Sequence, residues 1–532
     1  MANQFNTILS RIPKYNKFNL SFENKLTAPI GKLIPVMTQE VIPGDYFNIK
    51  EEHLIKFQPM TAPILQRVDV SFHAFFVPLR LIWKNSEEFF TGGKRGLEKP
   101  PKPVWIWEGR NTSYRTLGPG SLHDYLGFPT IETQELEQDK VTFDALPFRA
   151  YAQIYNDYYR DQNLEDEIII EDIGTTDPSG TTTFLDGADG SQLRTRAYAK
   201  DYFTSALPEP QRGPDVTLPI ESSAQVNYNK SGETIVRTLS GGVSTVGVGS
   251  IEVDGLGNLN RQDGQQVNID NSGNLTVDVE SSTTTIEDFR RALKVQEFYE
   301  KMNRGGYRYI EQILNFFGVK SSDARLQRAE YLGGSRTPVI VSQVTQTSQT
   351  MTSGEKSLLG DWAGNATSLS NGILCKRRFE EHGFLMVIMS VTPKASYFQG
   401  LPRKYQRFDK TDYYWPQFAH IGDQEIKKSE LYYSFDNGED NEAGFGYAPR
   451  YAEYRYNPDE IHGEFKDNLL YWHMARKFSS QPSLSNNFMK IGDAEVNRVF
   501  AIDQNIADPL LCQLYFNVYA KRKISRYGNP RI

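Results

Sequence analysis

Residues 68–78 alternate cleanly: Val68, Val70, Phe72, Ala74 and Phe76 fall on one face, Asp69, Ser71 and His73 on the other. This period of two predicts a β-strand with one face on a core, ended by Pro78, which has no N–H for a ladder. Residues 511–520 repeat the pattern, with Leu514, Phe516, Val518 and Ala520 against Gln513, Tyr515, Asn517 and Tyr519. Phe384 to Met389 breaks it, because six apolar residues stand in a row between Gly383 and a Thr392-Pro393 stop. A run this short is read as a strand covered on both faces, with a buried helix segment as the alternative. Val339 to Val341 and an extended region from Ile30 to Ile49, turning at Pro43-Gly44-Asp45, add further strand signals.

Helical spacing appears in three places. Phe148, Tyr151, Tyr155 and Tyr158/Tyr159 share one side of 146–161, and Pro147 suits a helix start. Such an aromatic stripe is ordinarily core. Thr285 reads as an N-cap ahead of Ile286, Phe289, Leu293, Phe298 and Met302, and a second helix from Tyr307 to Phe317 stops at Gly318. Residues 91–143 read as long loops punctuated by Gly92-Gly93, Pro100-Pro101 and Gly118-Pro119-Gly120, with Trp105 and Trp107 embedded. Many strands far apart in sequence, joined by long excursions, suit an antiparallel sandwich or jelly roll with insertions.

The pattern changes over 209–284. Gly, Ser, Thr, Asn and Val dominate, large aromatics nearly vanish, and Asp-Gly and Ser-Gly interrupt short alternating pieces. The segment is a small β-rich insertion or a floppy one, with little core of its own. It should project outward, with Gly241, Gly242, Gly247, Gly249, Gly255 and Gly257 in or near its tip. The chain thus divides into an N-terminal arm (1–29), a first core part (30–208), the insertion (209–284), a second core part (285–520) and a basic tail (521–532).

Composition narrows the class. At 532 residues, 39% hydrophobic and 23% charged, the chain is globular and long enough for a large core. Two cysteines cannot make a disulfide framework, so reduced structural thiols are expected. No apolar stretch approaches a membrane span, and the N-terminus lacks a basic-then-apolar signal pattern. A net charge of −7 argues against a wholly nucleic-acid-binding surface but permits a basic patch. Two such patches stand at the ends: Arg11, Lys14 and Lys17, and Lys521, Arg522, Lys523, Arg526 and Arg531. With Tyr15 and Tyr527 among them they could hold single-stranded DNA, or they could pair with acids of other subunits.

Catalytic signatures are missing. The sequence contains no G-x-x-x-x-G-K-S/T, no G-x-S-x-G and no H-E-x-x-H. The acidic run 436–442 lacks EF-hand spacing and reads as a solvated turn. The stretch after residue 393 instead carries Tyr397, Phe398, Arg403, Tyr413, Tyr414 and Trp415, residue types enriched where proteins meet. It would lie in subunit contacts, or else fold onto its own core.

Several motifs together resemble one family. They are Leu146-Pro147-Phe148-Arg149-Ala150-Tyr151 with Tyr159-Arg160-Asp161-Gln162-Asn163-Leu164, Asp201-Tyr202-Phe203-Thr204-Ser205-Ala206-Leu207-Pro208 and Ser322-Asp323-Ala324-Arg325-Leu326-Gln327-Arg328. Glu330-Tyr331-Leu332-Gly333-Gly334, Gln399-Gly400-Leu401-Pro402-Arg403, Asp412-Tyr413-Tyr414-Trp415-Pro416 and Arg450-Tyr451-Ala452-Glu453-Tyr454-Arg455-Tyr456 follow in order. The chain resembles the major capsid proteins of the Microviridae, small single-stranded-DNA phages, and especially their gokushovirus branch. The resemblance implies a mainly β, eight-stranded antiparallel jelly roll with long inter-strand loops and a few helices. It implies one chain per asymmetric unit of a T=1 icosahedral shell, circular single-stranded DNA inside, and no catalysis or cofactor. It further implies a small basic DNA-binding protein and a pilot protein as companions, a host surface receptor, and a virion assembled in the bacterial cytoplasm. The 209–284 insertion takes the place of a variable protrusion near the three-fold axes, suited to host attachment. The rival reading is a secreted β-sandwich that binds or cleaves glycans; the missing signal pattern counts against it.

Overall fold

The computed structural model describes residues 14–108, 118–130, 140–174, 192–216, 286–345, 362–436, 440–502 and 507–527, with short strands between 226 and 277 and between 350 and 357. Ten strands build its two main sheets. They are β1 (Asn16–Asn19), β2 (Phe22–Ala28), β3 (Ile34–Val41), β4 (Tyr46–Phe57), β5 (Val68–Pro78), β6 (Glu330–Pro338), β7 (Ile340–Thr345), β8 (Trp362–Arg378), β9 (Gly383–Pro393) and β10 (Leu510–Arg522). One sheet runs β1-β10-β4-β8-β7, with β2 also paired to β10; the other runs β6-β5-β9-β3. All these pairings are antiparallel.

Setting aside β1 and β7, which lengthen the first sheet, eight strands remain. In chain order they lie 1-8-3-6 in one sheet and 2-7-4-5 in the other. Successive strands mostly cross between sheets, which is the doubled Greek-key path of a jelly roll.

Side-chain parity explains the sandwich. In β10, Leu510, Cys512, Leu514, Phe516, Val518 and Ala520 are buried and the residues between them are not. The apolar run in β9 splits between two cores. Leu385, Val387, Met389 and Val391 join Val70, Phe72 and Phe76 between the sheets, while Met386 and Ile388 face the other way. There they meet Phe75, Val77 and helix α1 (Leu146–Ile154) through its aromatic stripe, Phe148 and Tyr151, and Ile154. Helix α1 is therefore a lid on the second face of the four-stranded sheet. Each fully buried phenylalanine there contributes about 1.5–3 kcal/mol.

The structure corrects several expectations. Strand β5 is covered on both faces, because α1 shields the side that Asp69, Ser71 and His73 mark as polar. The supposed loop 91–143 contains a hairpin pairing Val104–Glu108 with Lys140–Asp144, and Trp105 is buried under α1. The arm is not free from residue 16 onward, since β1 and β2 extend the sheet along β10. The longest strand, β8, carried no clear sequence signal. Thr285 lies outside the described residues. The helix after it, α2 (Ile286–Gly305), is present, as is α3 (Tyr309–Phe317), which ends at Gly318 in the left-handed region at φ 68°.

The chain divides into two compact units, 1–210 with 303–532, and 211–302. The second unit holds short antiparallel strands and most of α2, so it reaches further along the chain than residue 284. The three apolar core clusters draw only on the first unit. Among the described residues no helix is long and apolar enough to cross a membrane.

Candidate functional site

Two surfaces of the first unit collect the residues singled out above. The first is the loop that leaves β9. Tyr397 is not at its surface: the ring is buried against Phe203, its hydroxyl donates to Asp201 at 3.1 Å, and Arg476 lies over it. Burial pushes the phenol well above its usual value. Phe398 is half-buried, edge-on to His473. Arg403 donates to the Glu425 carbonyl at 2.6 Å and pairs with Glu430 at 3.3 Å. Burial raises the Glu430 carboxyl above the ordinary carboxylate range, and Arg403 opposes that shift. These three residues therefore anchor the loop to its own subunit.

The anchor is tight. A Cβ on Gly400 would lie 1.9 Å from the Glu430 carbonyl oxygen, so only glycine passes there. Asp409 and Asp412 cap the short turn between them through backbone N–H groups, and Trp415 Nε1 donates to the Lys410 carbonyl at 2.7 Å. Arg407 pairs with Glu453 and lies 4.2 Å from the centre of the Tyr454 ring. Tyr414 packs edge-on to Tyr451, whose φ is 61°.

What this scaffold presents is apolar. Tyr413, Tyr414 and Trp415 are about half exposed, and Phe408 and Phe435 are 91% and 92% exposed. Sequence reasoning missed Phe408, Phe435, Arg407 and Tyr454. Helix α3 and the turn after it present another such face through Tyr309, Leu314, Phe317 and Val319, with Phe317 78% exposed. Large exposed apolar side chains grouped in this way are the usual signature of an interaction surface.

The second surface is one end of the six-stranded sheet. Lys17 is opposite Lys521, Lys521 opposite Tyr46, and Tyr46 opposite Arg378, a row across four strands. The next row on the same face is Asn19, Tyr519, Asn48 and Lys376. Neither row contains an acid. Lys521 Nζ sits 5.3 Å from the Tyr46 ring centre, while Lys523 and Arg378 approach Tyr15 at 5.3 and 5.8 Å. Lys376, Arg378 and Tyr46 escaped the sequence reading, although the Lys376-Arg377-Arg378 triplet was its available signal.

Arg522 is a correction. It points to the inner side of β10, pairs with buried Asp45 at 3.0 Å, donates to the Glu40 carbonyl and covers the Phe47 ring. It is a structural cation, not an exposed one. Lys14 and Arg526 are exposed near this end, and Arg11 and Arg531 lie outside the described residues. So do Gly241, Gly242, Gly247, Gly249, Gly255 and Gly257. In the acidic turn, Asn441 is spent on the Ser434 backbone, and residues 437–439 are outside the described set.

Comparison with known proteins finds a family that matches nearly the whole chain. Residues 7–532 match the family described as capsid protein (F protein). The capsid protein VP1 of Chlamydia phage 1 is 32% identical, with the alignment covering 100% of this chain and 98% of the relative. VP1 of Bdellovibrio phage phiMH2K is 33% identical, covering 97% and 95%. VP1 of Spiroplasma virus 4 is 30% identical, covering 98% and 96%.

Proposed function

Because the chain belongs to the phage capsid protein (F protein) family and is a structural capsid protein, we propose that it closes into a small T=1 icosahedral shell around circular single-stranded DNA. The observation that carries this reading is the exposed aromatic surface of the 399–416 loop, with Phe408 and Trp415 as side chains for neighbouring subunits to bury. Its hydrogen-bonded frame pre-pays the ordering cost, so association does not have to fix a floppy loop. Anchors of this kind contribute about 2 kcal/mol or more each, and a shell repeats them at every equivalent contact.

The basic rows at the end of the six-stranded sheet supply the inner face. Lysine and arginine neutralise phosphates, and Tyr46, Tyr519 and Tyr15 offer rings on which bases stack whatever the sequence. The 211–302 unit supplies the outer face and host recognition. In this reading the virion forms in the bacterial cytoplasm with a small basic DNA-binding protein and a pilot protein, and the receptor meets the insertion. Electron microscopy of the expressed, purified chain tests the shell directly. Closed icosahedral particles are expected, and a monomer that persists at high concentration would contradict the reading.

A further inference from the structure

A cleft of about 860 Å³ opens on the α1 side of the four-stranded sheet. Its walls include Ser71 and His73 of β5, Tyr159, Arg196, Tyr331 and Arg336. Helix α1 makes this wall by widening into a π turn over Tyr155–Tyr159, which swings Tyr158 and Tyr159 towards β5 and β6. Such turns commonly accompany functional sites.

The cations around the cleft differ in how they are balanced. Lys200 pairs with Asp161 at 2.6 Å, Arg336 with Asp69 at 2.6 Å, and Arg304 with Asp423. Arg308 lies 3.8 Å from Glu311, and Arg160 is used by the Glu165 carbonyl and the Tyr307 hydroxyl. Arg196 has no carboxylate partner among the described residues. It donates to the Ser390 hydroxyl and lies 5.9 Å from the centre of the Tyr159 ring. Burial, and then repulsion from Arg336, disfavour its charge. Burial and Arg196 also hold His73 down at about 4, so at neutral pH the imidazole adds no positive charge. It lies 2.7 Å from the Tyr159 hydroxyl and steadies that wall.

A half-buried guanidinium with no carboxylate partner among the described residues is costly, and an anion in the cleft would relieve it. Guanidinium forks match tetrahedral oxyanions, and Ser71 adds a hydroxyl to the lining. Around these groups Tyr331, Phe75 and Tyr158 form a connected aromatic rim. We propose that this cleft is a phosphate-binding site, with Arg196 as its principal ligand.

The test is isothermal titration of the full chain with two probes, inorganic phosphate and thymidine 5′-monophosphate. At least one is expected to bind in the submillimolar range, with Arg196→Met weakening it about tenfold or more. Tighter binding of the nucleotide identifies a nucleotide-borne phosphate as the occupant, and equal binding identifies free phosphate. Arg196→Lys guards against a folding defect: it keeps the charge, loses the fork, and should bind several-fold more weakly than wild type with an unchanged melting curve. If neither probe binds wild type at millimolar concentration, or if Arg196→Met binds as wild type does, the site does not exist. Shell formation is a separate readout, so failure here leaves the capsid reading untouched.

Discussion

Arg522 and Lys521 are neighbours in sequence with opposite fates. Strand parity sends Lys521 to the open face and turns Arg522 onto buried Asp45. Burial raises the Asp45 carboxyl above its ordinary value, while the Ile42 N–H and Arg522 pull it down. Replacing Arg522 by Gln strands that carboxylate and should cost about 3 kcal/mol near neutral pH. The pH dependence has a definite sign. With its folded pKa raised, Asp45 holds its proton more tightly in the native chain, so ionising it costs stability as pH rises through that range. Removing Arg522 raises it further, so the Arg522→Gln deficit should shrink as pH falls towards the carboxylate range. Melting curves at neutral and mildly acidic pH check both claims; a constant deficit would contradict them. Lys17, Lys521, Lys376 and Arg378 behave otherwise. Changing all four to Gln should leave subunit stability nearly intact and lower the DNA content of purified particles, read from their ultraviolet absorbance ratio. In the sequence the terminal cations formed a single basic tail. Only pairing with β1, β4 and β8 could separate the structural one from the exposed ones, because register is a long-range property.

At the scale of elements, Gly400 fixes how the loop after β9 lies on residues 428–431. Gly400→Ala puts a methyl group against the Glu430 carbonyl, so backbone must shift, at a cost of about 1–3 kcal/mol. A lower melting temperature together with a reduced shell yield is the expected pattern; a wild-type melting curve would count against the clamp. Although the second face of β5 proved to be covered as well, strands β5 and β10 were legible from alternation. So was β9, whose unbroken apolar run records two cores. Strand β8 was not, because Gly364, Asn365, Ser370, Asn371 and Gly372 dilute its pattern and a bulge between Ile373 and Cys375 shifts its register. The split of the loop into buried Tyr397 and exposed Trp415 was equally hidden, since both read as aromatics in one stretch. What distinguishes them is Phe203 and Asp201, almost two hundred residues away.

At the scale of the whole molecule, the three apolar core clusters found among the described residues belong to the first unit. Deleting Gly213 to Ser281 with a short Gly/Ser bridge should therefore leave particles that assemble and hold DNA but adsorb poorly to host cells. Wild-type adsorption by such particles would remove the recognition role from this segment. The loss of aromatics over 209–284 set this stretch apart in the sequence, whereas the α2 sequence reads as an ordinary amphipathic helix wherever it packs.

The central claim is that the exposed aromatic surface of the 399–416 loop closes the shell, and Trp415→Ala tests it most directly. Trp415 is 47% exposed and belongs to none of the apolar core clusters, so its truncation gives up the Nε1 bond to the Lys410 carbonyl but leaves the sandwich core intact. Analytical ultracentrifugation of the variant beside wild type is the measurement. The account predicts folded subunits or small oligomers with wild-type circular dichroism and no shell-sized species; a wild-type yield of closed shells would contradict it.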